Sequence, residues 1–224
     1  MPFVLPVAVN DRLVGSAVVV GLIDKHVLLA TSLHLFGTGT KIQIAIPPHG
    51  GSLSQVQPYP LEHTPALEAT VAAADPFADL AILSAEAPDA TIPRLPVVAT
   101  APGLAPVGSE VVVLGYPFAP LGSLLETWVP CFVTALASRR IAPGVEVDEL
   151  VLSAQAHPGV SGSAVVGKND GTLYGVIRGA LAPPEVLRIG EIPIATDTSV
   201  TFATSAHMLH DLLPIATRAL GLER

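Results

Sequence analysis

The chain has 224 residues, of which half are apolar and 13% are charged, and its formal net charge is −8 at pH 7. This length fits one large domain or two small ones, because a single core usually serves about 100 to 200 residues. The negative charge argues against a nucleic-acid partner, since phosphate binding needs a basic face and the largest basic cluster is the pair Arg139 and Arg140.

By its sequence pattern, the chain is expected to have neither a membrane span nor, at its N-terminus, a secretion signal. Its longest nearly apolar run, at 13–23, ends at Asp24 and is shorter than the roughly 18 residues that a span needs. No basic region precedes the first apolar residues, as it would in a signal peptide. The single cysteine, Cys131, cannot form an intramolecular disulfide, which fits a reducing compartment. We therefore predict a cytoplasmic protein without a membrane segment.

Short runs rich in β-branched residues recur along the chain and predict strands rather than helices. In the first half they lie at 12–23, 26–33, 41–48, 66–74 and 79–85. Prolines at 88, 93, 96, 102 and 106 then interrupt the pattern, and because proline cannot donate to a sheet they indicate a connector. A second series of runs lies at 110–117, 126–138, 149–156, 163–167, 172–180 and 199–205.

The C-terminal segment changes to a helical spacing of apolar residues, at 208, 209, 212, 213 and 216. The layout predicts an all-β fold of two antiparallel β-barrels followed by a C-terminal helix. We place the first barrel at 1–88, the connector at 89–106, the second barrel at 107–206 and the helix at 207–224.

One serine stands in a setting suited to nucleophilic chemistry. Ser161 lies in the glycine-framed stretch HPGVSGSAVV, and acyl transfer by a serine also needs a base, a carboxylate and oxyanion donors. His34 follows a predicted strand, although a histidine there is more often structural. Asp79 opens the strand DLAIL, and its competitor Asp75 has the ordinary interpretation of a turn residue before a proline.

The order His34, Asp79, Ser161, together with the sequences around these residues, resembles the trypsin-like serine proteases of the HtrA/Deg type. The similar stretches are LLATSLHLF, DPFADLAIL, VGSEVVVLGYP, HPGVSGSAVV and GTLYGVIRGA, and with VTFATS they run from about 14 to 213. The resemblance implies two six-stranded antiparallel barrels and a serine endopeptidase. It assigns Ser161 as nucleophile, His34 as general base and Asp79 as the orienting carboxylate.

The same resemblance implies the parts that receive a substrate. Backbone N–H groups of Gly159 and Ser161 would form the oxyanion hole. Four residues would line the primary specificity pocket: Gln155, Arg178, Gly179 and Ala180. Since position 155 holds no aspartate, a basic substrate residue in this pocket would lack a counter-charge. We expect the pocket to accept a small or medium apolar substrate residue.

Several residues depart from the family pattern near the site, among them Ser163 and Ala164, which replace Gly-Pro as a mild change. Val160 replaces the asparagine or aspartate that precedes the nucleophile, so activation through an N-terminal ion pair is not expected. Leu33 is bulkier than the small residue found beside the histidine, and His157 replaces an asparagine in the loop before the serine.

No cofactor or metal is expected. His207 and His210 have suitable helical spacing but no third ligand, and GTGTK at 37–41 is too short for a phosphate-binding loop. No PDZ domain follows the second barrel, which suggests a bacterial intracellular protease that cleaves a dedicated partner protein. We expect a protein or peptide substrate, no membrane partner and a monomer.

Two alternatives stay open at this point. One is a catalytically inactive or partner-gated double barrel that grips an extended peptide as an added strand. The other is an esterase-like acyl transferase that uses the same residues.

Overall fold

The computed structural model describes residues 3–37, 41–47, 64–87, 95–155, 157, 159–180, 187–189, 192–194 and 200–221. The strands form two closed antiparallel barrels, and one α-helix follows the last of them. The predicted all-β double barrel with a C-terminal helix is confirmed.

The first barrel consists of β1 (Val4–Val9), β2 (Arg12–Ile23), β3 (His26–Ser32), β4 (Ile42–Ala45), β5 (Ala66–Asp75) and β6 (Leu80–Glu86). Its strand order is β1-β2-β3-β6-β5-β4, and β4 closes the barrel on β1. Asn10 and Asp11, with φ of +50° and +62°, join β1 to β2. Positive φ at both central residues is typical of the tight type I′ hairpin turn.

The second barrel consists of β7 (Glu110–Gly115), β8 (Thr127–Ala142), β9 (Val145–Leu152), β10 (Ala164–Gly167), β11 (Leu173–Ala180) and β14 (Thr201–Ser205). Its order is β10-β11-β14-β9-β8-β7. The short strands β12 (Leu187–Ile189) and β13 (Ile192–Ile194) form a separate hairpin. Part of the predicted connector lies outside the described residues; its described part contains a 3₁₀ turn at Pro102–Leu104 and a bridge between Val98 and Leu173.

The C-terminal helix α1 (Leu209–Ala219) follows the second barrel but packs against β5 of the first. A 3₁₀ turn, Ala206–Met208, leads into it, so the α-helix begins two residues later than predicted. Its buried side chains are those of Leu209, Leu212 and Ala216. None of the helices in the described ranges has the length and apolar character needed to cross a membrane.

Three apolar clusters organise the molecule. One fills the first barrel, with Leu5 and Leu29 among its members, and a second fills the other barrel around Val111 and Leu152. The third lies between the barrels and takes residues from both, and helix α1 contributes to it as well. Because protein interiors are close-packed, this shared cluster fixes the edge along which the two barrels meet.

Candidate active site

His34 and Asp79 are brought together by neighbouring strands of the first barrel. Ser32 at the end of β3 pairs with Leu80 at the start of β6 in the antiparallel register. His34 lies two residues beyond Ser32, in the 3₁₀ turn Leu33–Leu35, and Asp79 directly precedes Leu80. The strand register therefore places the two side chains beside each other at the rim of the barrel.

Ser161 reaches the same place from the second barrel, and the three side chains form a chain of contacts. His34 Nδ1 lies 2.6 Å from Asp79 Oδ2, and His34 Nε2 lies 3.1 Å from Ser161 Oγ. The backbone N–H of His34 also donates to Asp79 Oδ1, at 2.8 Å. Because an ionised carboxylate only accepts hydrogen bonds, the proton belongs on Nδ1, which leaves Nε2 free to accept from the serine hydroxyl.

The three groups differ in their access to solvent. The His34 side chain is 46% exposed, whereas that of Asp79 is only 19% exposed. A reactant can therefore approach the imidazole and Ser161 from solvent, while the carboxylate stays behind them.

Asp75 and Asp79 close the same turn but do different things. Asp75 Oδ1 accepts hydrogen bonds from the backbone N–H groups of Phe77 and Ala78, at 2.8 and 3.1 Å, which is the ordinary behaviour of an aspartate in a turn. Asp79 has a left-handed backbone with φ of +55°, and its carbonyl accepts from the N–H of Leu33 at 3.1 Å. The structure therefore places Asp79, and not Asp75, beside the histidine.

The turn that leads to Ser161 requires glycine at position 159. Gly159 has φ of +97°, and the Val160 N–H donates to the His157 carbonyl at 3.1 Å. A turn residue with positive φ is most readily glycine. A Cβ at Gly159 would lie only 2.5 Å from Pro120 Cδ and 2.9 Å from the Tyr116 carbonyl oxygen, so space also demands glycine.

Two of the unusual residues near the nucleophile have structural partners. The side chain of Val160 is buried in the core of the second barrel. The ring of His157 stacks on Phe118, with 6.3 Å between the ring centroids. An apolar residue thus occupies the place before Ser161 without leaving a charge unpaired.

Sequence reasoning missed Ser16, which holds the Ser161 turn against the first barrel. Its backbone N–H donates to the Ser161 carbonyl at 2.9 Å. Its hydroxyl accepts from the Tyr116 N–H at 2.9 Å and donates to the Gly159 carbonyl at 3.4 Å. Gly162 packs so closely against Ser16 and Thr31 that no Cβ fits there. The available signal was a lone hydroxyl residue within the apolar run at 13–23.

Two further buried hydroxyl groups connect the barrels at the site and were also missed. Ser32 Oγ donates to the Ile177 carbonyl at 2.7 Å, and Thr204 Oγ1 donates to the Ala78 carbonyl at 2.8 Å. Each bond crosses from one barrel to the other next to a residue of the candidate site. Nothing in the sequence distinguishes these residues from ordinary strand serines and threonines.

Among the residues predicted to line the specificity pocket, Arg178 has a contact with Ser161 through its backbone. Arg178 follows Ile177 on β11, and its carbonyl oxygen lies 3.3 Å from Ser161 Oγ, so it is an alternative acceptor for the hydroxyl proton that His34 Nε2 can take. The Arg178 side chain turns back onto the second barrel, where Nε lies 3.2 Å from Glu149 Oε1. Gly179 is half-buried, and Gln155 and Ala180 are exposed. The segment that follows Ala180 lies outside the described residues up to 186.

Other reactive groups in the described ranges have no link to the site. Burial raises the pKa of the Cys131 thiol to about 11, so it stays protonated at neutral pH. His207 contacts Ser205 Oγ at 2.9 Å and lies 3.5 Å from Asp148 Oδ2. Among the described residues, no group of three histidine, cysteine, aspartate or glutamate side chains is arranged to hold a metal ion.

Comparison with known proteins identifies the family and the fold of the chain. The trypsin-like peptidase domain family matches residues 15–176, which is more than half of the chain. A crystal structure of Rv3671c from M. tuberculosis H37Rv, a serine-to-alanine mutant in an inactive form, has a TM-score of 0.63 and 23% identity to this chain. That alignment covers 97% of this chain and 87% of the other.

A second structure, of the Rv3671c protease in an inactive form, has a TM-score of 0.62 and 23% identity and covers 95% of this chain and 88% of the other. At this identity the likeness to both structures shows the fold alone. No curated protein sequence matches the chain. On the family match and the shared fold, the chain belongs to the trypsin-like peptidase family.

Proposed function

We propose that the protein is a serine endopeptidase in which His34, Asp79 and Ser161 act as the catalytic triad. The observation that carries this proposal is the continuous contact from carboxylate to imidazole to hydroxyl, with atom separations of 2.6 and 3.1 Å. Both distances lie within the hydrogen-bond reach that proton transfer requires. Three residues from two barrels meet here around one accessible hydroxyl.

The reaction follows from the roles of these groups. Ser161 Oγ attacks the carbonyl carbon of the peptide bond and gives its proton to His34 Nε2. His34 returns that proton to the leaving amine, and an acyl-enzyme ester on Ser161 remains. Water, activated by the same imidazole, then hydrolyses the ester. Asp79 keeps the proton on Nδ1 and stabilises the imidazolium that forms.

The negative charge that develops on the carbonyl oxygen needs donors, and we assign this role to the backbone N–H groups of Gly159 and Ser161. The positive φ of Gly159 supports the assignment, because glycine alone adopts it readily at this crowded position. In serine proteases, removal of one such donor costs about 10² to 10³ in turnover.

We also propose that Gln155, Arg178, Gly179 and Ala180 line the primary specificity pocket. The contact of the Arg178 carbonyl with Ser161 Oγ supports a location for β11 beside the bond to be cut. Because position 155 holds glutamine and not aspartate, a basic substrate side chain would lack a counter-charge. The expected preference is for a substrate with a small or medium apolar side chain.

A peptidase domain implies protein or peptide substrates. A dedicated partner protein as substrate, a bacterial source and the cytoplasmic location stay predictions, and the last rests on the single, buried Cys131. Fractionation of the source cell, followed by detection of the mature protein, tests the location.

The proposed activity is tested by labelling the purified protein with a fluorophosphonate, which reacts only with an activated serine. We expect the wild type to be labelled and both Ser161→Ala and His34→Ala to lose the label. Ser163→Ala is the matched control, because Ser163 lies two residues further on, is fully buried, and its hydroxyl has no hydrogen-bond partner in the described residues. This variant should react like the wild type.

The outcomes separate the proposal from its alternatives. A folded wild type that is not labelled would favour the inactive or partner-gated peptide-binding module. Labelling together with cleavage of esters, but never of peptides, would favour an acyl transferase of the esterase kind. Labelling of the Ser161→Ala variant would show that another residue is the nucleophile.

A further inference from the structure

A buried carboxylate of the second barrel lies beside two arginines, each of which also has a contact close to the candidate site. Glu149, on β9, is only 4% exposed. Its Oε1 atom lies 2.9 Å from Arg139 Nε and 3.2 Å from Arg178 Nε. The first contact is a hydrogen bond, whereas the Arg178 N–H is not aligned with the oxygen, so the second is a charge contact. Burying a carboxylate is costly unless it is paired, and the two arginines supply that pairing for Glu149. The question is what the two arginines do besides.

The first arginine reaches from Glu149 to the turn that carries Asp79. Arg139 lies on β8, the strand next to β9, and its Nη2 donates to the Phe77 carbonyl at 3.0 Å. Thr204, which pairs with Glu149 in the β9–β14 register, donates to the carbonyl of Ala78. Two consecutive carbonyls of the turn before Asp79 are therefore held by the second barrel.

The second arginine connects Glu149 to the nucleophile. Arg178 lies where the β11–β14 register shifts, between Ile177 and Gly179, and such a bulge redirects a side chain. The Arg178 carbonyl oxygen lies 3.3 Å from Ser161 Oγ, while the guanidinium carbon of the same residue lies 5.6 Å from the centre of the Phe202 ring. The side chain that pairs with Glu149 thus belongs to the residue whose backbone touches Ser161.

We infer that Glu149 is a positioning residue, which holds the Asp79 turn through Arg139 and the Ser161 contact through Arg178. This inference rests on the proposed function, because it concerns how that site keeps its spacing. The nucleophile and the carboxylate come from different barrels, and a displacement of about 1 Å between reacting groups costs about 10² in rate. One buried anion shared by both connections resists such a displacement. The same inference gives the Arg178 side chain a positioning role, so that only the backbone of Arg178 would contact a substrate.

The test uses Glu149→Gln, which keeps the size of the side chain and an oxygen acceptor but removes the charge. The matched control is Glu146→Gln, on the same strand, where Glu146 Oε1 pairs with Arg140 Nη2 at 3.0 Å on the exposed face. We measure the rate of fluorophosphonate labelling, together with kcat and KM on uncharged and acidic peptide esters. We expect Glu149→Gln to lower the labelling rate and kcat about 10- to 100-fold with KM unchanged. Glu146→Gln should match the wild type.

A second variant keeps the inference testable if Glu149→Gln does not fold. Arg139→Lys retains a positive charge beside Glu149, but a single ammonium cannot reproduce the two-sided contact with both Glu149 and the Phe77 carbonyl. We expect a several-fold lower labelling rate. We also expect a shift of the downfield proton resonance of the His34 Nδ1–H, which reports the hydrogen bond to Asp79 directly.

The results distinguish a failed inference from a failed function. If the wild type is labelled and folded Glu149→Gln reacts at the same rate, Glu149 has no positioning role and the proposed function stands. If Glu149→Gln does not fold, an unchanged rate in Arg139→Lys overturns the inference equally. A change in KM confined to acidic substrates would make Arg178 a substrate contact instead. If the wild type is never labelled, the proposed function fails. The positioning role is then tested separately, because an unchanged His34 resonance in Arg139→Lys overturns it.

Discussion

Asp79 combines a demanding backbone with a chemical role. The non-glycine residues with positive φ in the described ranges are Asn10, Asp11, Asp24 and Asp79. The first three lie in the turns of hairpins, whereas Asp79 lies beside His34. A left-handed backbone is unfavourable for most residues but is tolerated best by asparagine and aspartate. This position therefore offers a substitution that changes the charge and keeps the conformation.

Asp79→Asn should retain the fold and lose activity. An amide no longer requires the proton to stay on His34 Nδ1 and does not stabilise the imidazolium, so we expect kcat to fall by about 10⁴. Asp75→Asn is the control on the same turn, since its side-chain oxygen can still accept from the Phe77 and Ala78 N–H groups. Ester hydrolysis measures both variants. A loss of less than tenfold in Asp79→Asn would contradict the triad assignment.

Gly159→Ala should damage the proposed oxyanion hole. The new methyl group would meet Pro120 and the Tyr116 carbonyl, and alanine is strained at φ of +97°, so the turn must change. We expect kcat to fall by about 10² to 10³. Gly108→Ala is the control, with φ of +91° but open space around the site of its Cβ. Wild-type activity in Gly159→Ala would contradict the assigned oxyanion hole, and an equal loss in both variants would trace the effect to backbone strain and not to the direction of the amide.

At the scale of elements, β1 was not predicted, although β3 and β6, which are buried along most of their length, were. The structure contains β1, β12 and β13 in addition to the predicted strands. In β1, Val4 belongs to the cluster between the barrels, whereas Leu5 and Val7 belong to the core of the first barrel. No alternation of polar and apolar residues can appear in such a strand, and Pro6 weakens the pattern further.

The site shows the same division between local and distant information. His34, Asp79 and Ser161 were predicted because each stands in a short sequence pattern at the end of a strand. Glu149 and Arg139 carry no such pattern, and Arg178 was predicted only as a pocket residue and not as a partner of Glu149. They meet because β9 lies between β8 and β14, and β14 in turn lies beside β11. That adjacency follows from closing the barrel, so local sequence does not reveal it.

A buried glutamate at the start of β8 predicts how the stability of the protein depends on pH. Glu126 directly precedes this strand and is buried, and burial raises its pKa to about 7, although a hydrogen bond from Tyr116 Oη opposes the shift. Burial and the neighbouring carboxylate raise the pKa of Tyr116 as well, so its hydroxyl stays protonated. In the unfolded chain the Glu126 carboxyl ionises near pH 4.5. Between these values the unfolded state binds fewer protons, so stability falls as pH rises.

We therefore expect the free energy of unfolding to be higher at pH 4.5 than at pH 8, with Glu126 contributing on the order of 3 kcal/mol to the difference. Glu126→Gln should remove this contribution and flatten the profile, because an amide does not ionise. Glu68→Gln, a change at an exposed carboxyl on β5, should leave it in place. Urea unfolding at a series of pH values measures all three proteins. A wild-type stability that rises steadily from pH 4.5 to 8 in parallel with Glu126→Gln would contradict this account.

At the scale of the whole molecule, the two barrels share packing as well as a site. The cluster between them includes Val18 and Leu80 from the first barrel and Leu114 and Val176 from the second. Helix α1 follows the second barrel in sequence and packs on β5 of the first. The chain therefore crosses the boundary between the barrels twice, once through the connector and once at its end. Apolar burial of this kind couples the stability of the two halves.

Leu209→Ala tests this coupling. Leu209 is fully buried in the shared cluster, so its truncation should lower the free energy of unfolding by about 2 to 5 kcal/mol. Ile215→Ala, on the exposed face of the same helix, should change it by no more than about 0.5 kcal/mol. Trp128, the single tryptophan, reports on the second barrel by fluorescence, and far-UV circular dichroism reports on the strands of both. Because the cluster joins the barrels, both signals should move together to lower urea concentration in Leu209→Ala. A dichroism transition that splits while the tryptophan signal stays at its wild-type midpoint would mean that the helix stabilises the first barrel alone.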